Sequence, residues 1–169
     1  MTAARSPRGF DVRIQPVAFG DKVILTNLMQ LCQHDYSEFE RDDVNAHGLF
    51  GYRYLDQYWT DPDRHPFLIL ADDRIAGFAL VRELVETSLP RRHSMAEFFV
   101  LRAYRGHGVG STAARQTILA MPGLWVIGQA LMNYPAQRFW RRVVGELVSA
   151  RYTERQDDHY NILEFAIDP

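Results

Sequence analysis

Apolar and polar residues alternate through DVRIQPV, residues 11–17, the period of a strand with one buried face. After Gly20 and Asp21 the period changes. Leu25, Leu28, Cys32, Tyr36 and Phe39 recur at steps of three and four, which predicts a helix. Residues 41–66 follow neither period. They carry Gly48, Gly51, Pro62 and Pro66 with a dense aromatic group, Phe50, Tyr52, Tyr54, Tyr58 and Trp59, and read as an irregular or short-helical connection. Two apolar runs, FLIL and IAGFALV, flank ADDR and predict an antiparallel hairpin with Asp72 and Asp73 at its tip. SMAEFFVL, residues 94–101, is a further strand.

In the second half, Ala114, Ile118 and Met121 mark one face of a helix that MPG stops, and LWVIGQA (124–130) returns to a strand pattern. Asn133 or Tyr134 can cap a third helix, with Pro135 in the first turn where its missing N–H costs nothing. Ala136, Phe139, Trp140, Val143 and Val144 form its apolar stripe. Two strands, about 147–154 and 160–167, close the chain around RQDDH. The order of elements is that of an α/β protein with a mixed sheet and no internal repeat.

With 169 residues, 47% of them hydrophobic, the chain can bury one substantial core but not two. A single domain over 11–169 is expected, preceded by a mobile tail, residues 1–10. The net charge of −2 supplies no global basic field, so nucleic acid is not an expected partner and any anion site must be local. Cys32 is the only cysteine, which excludes an internal disulfide and a multi-cysteine metal site and suits a reduced compartment. No apolar run approaches the ~18 residues of a membrane span. A soluble, cytoplasmic protein is expected, with no membrane partner.

One loop concentrates the chemistry. In YRGHGVGSTA, residues 104–113, glycines 106, 108 and 110 let backbone N–H groups converge, a helix begins beside them, and Arg105 adds a full charge. These are the parts of a phosphate or pyrophosphate cradle. A P-loop needs a lysine between its last glycine and Ser/Thr, but Gly110 is followed directly by Ser111. A dinucleotide fingerprint needs glycine where Ser111 stands and an acidic residue about 20 positions on, where the next strand ends in Gln129. A glycine-rich turn with no ligand stays open on these residues alone.

The loop also resembles the Arg-x-x-Gly-x-Gly loop of the GNAT superfamily of acyl-CoA-dependent N-acyltransferases. ILADDRIAGFALV, EFFVL and NYPAQRFWRRV resemble that superfamily's pieces in the same order, and Asn133, Ala136 and Phe139 fit its Asn-x-x-Ala-x-x-Phe pattern. The resemblance covers roughly residues 11–167. It implies the GNAT fold: a mixed, mostly antiparallel central sheet of about six to seven strands flanked by helices, with a splayed strand pair holding acyl-CoA. It further implies acetyl-CoA as co-substrate, no metal, and transfer of an acetyl group by direct attack of a primary amine of a small molecule or peptide. A homodimer is allowed. A non-catalytic acyl-CoA sensor or structural domain is the alternative.

By resemblance, the backbone of Arg105, Gly106, His107, Gly108, Val109 and Gly110 holds the CoA pyrophosphate, with Ser111 offering a hydroxyl. The edge at Phe99, Val100 and Leu101 pairs with the pantetheine arm as an added strand would, and the N–H of Val100 or Leu101 faces the developing oxyanion. Asn133 contacts pantetheine or an ordered water, or only caps its helix. Phe139 and Trp140 lie beside the cofactor.

The reaction needs a base, because an ammonium of pKa about 10.4 cannot attack a thioester. Glu97, flanked by Met95, Ala96, Phe98 and Phe99, is the expected base, since an apolar setting raises a carboxyl pKa. Pairing of Glu97 with Arg92 or Arg102 is the competing structural role, and His93 or His107 are substitute bases. Where this superfamily often carries a tyrosine that protonates the thiolate, this chain has Trp140, whose indole has no proton to release at neutral pH. Tyr134 or Tyr104 then takes that task, or CoA leaves as a thiolate of pKa about 8.5. The first helix and the segment after it wall the acceptor pocket in this fold. That places Tyr36, Tyr54 and Trp59 with Glu97 at the substrate, and Phe39, Tyr52, Tyr58, Glu38 and Asp56 nearby. Such a wall suits a cationic amine on an apolar or planar body.

Overall fold

The alternation at the start of the chain buries Val12 and Ile14 on one face of a strand, and the period of three and four beyond it buries Leu25, Leu28, Met29 and Cys32 on one side of a helix. The computed structural model describes residues 4–5 and 9–168. Its elements are β1 (Ala4–Arg5), β2 (Asp11–Pro16), α1 (Lys22–Glu40), β3 (Arg64–Ala71), β4 (Arg74–Leu84), β5 (Arg92–Val100), α2 (Val109–Leu119), β6 (Gly123–Ala130), α3 (Tyr134–Leu147), β7 (Tyr152–Gln156) and β8 (Tyr160–Ile167). Of the expected N-terminal tail, Ala4–Arg5 pair antiparallel with β2; residues 1–3 and 6–8 lie outside the described residues.

The strands form one sheet in the order β1-β2-β3-β4-β5-β6-β8-β7. Every neighbouring pair is antiparallel except β5 and β6. Both faces are covered, so the central strands read as continuous apolar runs rather than alternating ones. Leu68, Leu70, Phe78, Leu80 and Phe99 pack on α1. Ile69, Ala71, Ala79 and Val81 point the other way, toward α2 and α3.

The hairpin is where the sequence places it, with Asp72 and Asp73 both left-handed at its tip (φ 49° and 59°), the backbone that a two-residue turn between twisted strands requires. The strand expected over 147–154 is corrected. Val143, Val144 and Val148 continue the apolar stripe of α3, which runs to Leu147. Left-handed Ser149 and Ala150 then turn the chain, and β7 starts only at Tyr152.

Two local features open the middle of the sheet. β5 and β6 pair only over Arg92–Ser94 and Leu124–Val126; beyond that β5 stays with β4 and β6 with β8 as far as Ala130. On β5, Glu97 lies opposite Leu80 and Met95 opposite Val81, so Ala96 is an extra residue that bends the strand. Gly77 on β4 lets the bent strand approach, since a Cβ there would sit 2.0 Å from the Phe99 carbonyl oxygen. The result is a wedge-shaped gap along the free edge of β5.

Candidate active site

The gap widens into a cleft of about 920 Å3 walled by β5, the loop before α2, the exposed turn of α1 and the first turns of α3. At one end, Gly106 and Gly108 are left-handed (φ 74° and 81°), a conformation costly for any residue with a Cβ. Gly108 is the N-cap of α2 and provides no side-chain acceptor for the helix's first N–H groups, which leaves them for an anion. Ser111 donates its hydroxyl back to the Gly108 carbonyl at 3.0 Å. Gly106, Gly108, Gly110 and Ser111 line the cleft. Val109 is fully buried in the core and anchors the helix start, so only its backbone is offered there.

Arg105 lines the cleft, but its side chain is engaged within the protein. Its Nε donates to the Val100 carbonyl at 2.7 Å, and its guanidinium pairs with Asp35 of α1, which also receives Arg102 at 2.8 Å. Desolvation raises the pKa of Asp35, yet the hydrogen bonds from the two arginines outweigh it and hold the carboxyl below its ordinary value. The arginine of the loop therefore ties the loop and the end of β5 to α1. His107 packs edge-on against Phe10, ring centroids 5.7 Å apart, away from the cleft.

The two backbone candidates on β5 separate cleanly. Leu101 N–H donates to the Ala76 carbonyl at 2.8 Å and is spent on the β4 side. By strand alternation, Phe98 and Val100 present their N–H and C=O groups to the gap. The Phe98 side chain, not singled out in the sequence, stacks on Phe139 (5.8 Å) and meets Trp140 edge-on (5.2 Å). Trp140 is 5% exposed within this aromatic group, as a packing residue is. Asn133 caps α3 by accepting from Ala136 N–H at 3.1 Å and also lines the cleft. Trp140→Phe keeps an aromatic against Phe98 and is expected to lower kcat less than tenfold, which steady-state kinetics with CoA titration will separate from any loss of cofactor affinity.

Glu97 faces the cleft from beside the bulge. Neither arginine proposed to neutralise it does so: Arg92 pairs with Glu86, and Arg102 with Asp35. Burial is the largest influence on its carboxyl and pushes the pKa up to about 7. A hydrogen bond from Tyr52 opposes the rise, the charge of Glu40 adds to it, and Arg82 offsets it in part. His93, the substitute base, bonds the Pro122 carbonyl and lies against Trp125 at the closed end of the strand pair.

The tyrosines also sort by position. Tyr36 lines the cleft, donates to the Phe98 carbonyl at 3.4 Å, and is held neutral because burial raises its pKa well above the usual phenol value. Tyr134 is 56% exposed and outside the cleft, and Tyr104 packs edge-on against Phe10. Tyr54 lies on the surface among Arg53 and Arg64, and Trp59 donates its indole N–H to Val17 at 2.9 Å; neither borders the cleft. Asp56 pairs with Lys22. In their place the structure brings Tyr52, Glu40 and Gln33 toward Glu97 or the cleft wall. Glu40 and Gln33 sit in the second half of α1 among the residues of the predicted helix, and their polar side chains there were the only signal.

These features meet a known family pattern. The family model described as "Acetyltransferase (GNAT) family" matches residues 26–145, and the chain belongs to that family. An acetyltransferase from Thermus thermophilus superposes with a TM-score of 0.67 at 14% identity, over 99% of this chain and 100% of that one. A GNAT-family acetyltransferase from Listeria monocytogenes gives 0.68 at 12% identity, over 98% and 100%. Spermidine N-acetyltransferase from Vibrio cholerae, in complex with CoA and spermine, gives 0.62 at 11% identity, over 92% and 95%. No curated protein sequence matches the chain. Among the described residues no helix is long and apolar enough to cross a membrane.

Proposed function

We propose that the protein is an acetyl-CoA-dependent N-acetyltransferase of the cytoplasm, moving the acetyl group by direct attack of a primary amine of a small molecule or peptide, with Glu97 as general base. The observation that carries this reading is the placement of Glu97: a carboxyl with no arginine partner, on the free edge of a splayed strand, with its pKa near 7. Acetyl-CoA supplies the activated thioester. The loop backbone from Gly106 to Gly110 and the start of α2 receive the pyrophosphate, and the gap beside Val100 receives the pantetheine arm with its N–H facing the carbonyl oxygen. Glu97 takes the proton from the amine nitrogen, before attack from a protonated amine and as the N–C bond forms from a neutral one, and Glu40 adds a second negative charge toward the acceptor side. Trp140 has no proton to release, and Tyr36, protonated and directed at the Phe98 carbonyl within the cleft, is the phenol placed to protonate the departing thiolate; otherwise CoA leaves as a thiolate of pKa about 8.5.

Ligand binding checks the cofactor half of this reading. Acetyl-CoA at about 100 times its dissociation constant is expected to stabilise the fold by about 2.7 kcal/mol, with NAD and ATP doing much less. Equal thermal shifts from all three, or none from CoA, would contradict it. Catalysis is tested by release of free thiol from acetyl-CoA against a panel of polyamines, aryl-alkyl amines, aminoglycosides and peptide N-termini. At least one amine is expected to yield thiol and N-acetyl product in equal amounts. A protein that binds acetyl-CoA yet acetylates none of them is the sensor instead.

A further inference from the structure

We infer that Arg142 makes the protein selective for the 3′-phosphorylated form of its cofactor, as the cation of a second anion seat in the groove between α2 and α3. The inference rests on the reading of the cleft as an acyl-CoA site. Beyond the glycine loop the cleft continues along both helices. Ser111 and Arg115 line it from α2, one helical turn apart, and Phe139, Arg142 and Glu146 line it from α3 at steps of three and four, so they share one face of that helix. Packing sets the near end of the groove, since a Cβ at Gly110 would meet the Phe139 ring at 3.5 Å. An ion pair sets the far end, where Arg115 of α2 meets Glu146 of α3. Arg142 stands between the two, one turn beyond Phe139 and one turn before Glu146.

The cations of the cleft are not equivalent. Four arginines line it; Arg102 and Arg105 pair with Asp35, and Arg115 pairs with Glu146. Arg142 alone of the four has neither an ion-pair nor a hydrogen-bond partner among the described residues. Its neighbour Arg141 turns away to Glu154 of β7. An uncompensated guanidinium one turn past the point where the loop meets α3 suits a ligand that carries a pyrophosphate and a further phosphate on the adjoining ribose. A phosphate monoester is largely dianionic at neutral pH and offers three oxygens to the planar fork of an arginine. Dephospho-CoA has the same arm, pyrophosphate and adenosine and lacks only that phosphate, so it isolates what Arg142 reads.

The test is calorimetric titration of the full chain with CoA and with dephospho-CoA. The parent is expected to bind CoA about 10–100-fold more tightly, the worth of charge-assisted hydrogen bonds to one phosphate. In Arg142→Ala the affinity for CoA should fall to that for dephospho-CoA, while dephospho-CoA binds as it does to the parent. Arg142→Gln, which keeps most of the length of the side chain and removes its charge, should do the same and serves if Arg142→Ala does not fold. Equal affinity of the parent for the two ligands overturns the inference and leaves the acyl-CoA reading standing. A preference for CoA that persists in both variants, or a loss that falls equally on both ligands, overturns it as well. Binding of neither ligand to the parent overturns the acyl-CoA reading, and the inference with it.

Discussion

Glu97→Gln is expected to lower turnover by about 10²–10⁴, the usual worth of a positioned acid or base, with little change in CoA affinity. The amide keeps the size of the side chain and can still accept from Tyr52, so what is lost is the site for the proton. The same substitution should make the protein more stable at pH 8. The folded-state pKa of Glu97 lies near 7, above its ordinary value of 4.5, because burial disfavours the charged form. The fold therefore gains from the neutral acid at low pH, and that gain is lost as pH rises through 7. Removing the ionisable group removes the penalty above pH 7, about 1–3 kcal/mol. Denaturant unfolding at pH 4 and pH 8 checks this: the difference between variant and parent should appear at the higher pH and nearly disappear at pH 4, where the carboxyl is neutral in both folded and unfolded chains.

Gly108→Val should abolish CoA binding in a protein that still folds. At φ 81° a β-branched residue is a genuine outlier, so the loop must leave the conformation that aims its N–H groups into the cleft. Losing two hydrogen bonds to a charged group, at about 1.5–3 kcal/mol each, weakens binding by 10²-fold or more. The strain of about 1–3 kcal/mol is smaller than the 5–15 kcal/mol that holds a typical domain together. Calorimetric titration with CoA, beside a circular dichroism melt, separates the two effects. Normal CoA affinity in the folded variant would show that the loop is only a turn.

What could be read from the sequence was local. The hairpin tip was legible because two consecutive aspartates tolerate the left-handed backbone of the turn, and the glycine loop because its spacing leaves few other uses. Glu97 was legible as a candidate from the apolar run around it, and burial is the largest influence raising its pKa. The end of α3 was misplaced because Leu147 and Val148 suit a helix stripe and a strand equally well, and the deciding contacts lie in the core behind them. The partners of Asp35 and Glu97 were hidden for a different reason. Arg105 is 70 positions from Asp35, and Tyr52, which opposes the rise at Glu97, stands in a segment with no period of its own. Tyr54 and Trp59 stand in the same aromatic stretch and end up elsewhere, since an aperiodic segment carries no record of which side chains turn inward. The splay of β5 and β6 arises from a bulge at Ala96 and a pairing that stops after Ser94 and Val126, features that hydrophobic periodicity does not encode.

The measurement that bears most directly on Glu97 as the base is the pH dependence of kcat/KM, for the parent and for Glu97→Gln, with an acceptor whose own nitrogen is already neutral below pH 6. The choice of a weakly basic amine removes the acceptor's ionisation from the window in which Glu97 titrates. The parent is expected to lose activity below pH 7 along a limb set by Glu97, and the variant to show a low, flat profile across the same range. An identical limb in both proteins, at comparable rates, would contradict the assignment and place the base on another group.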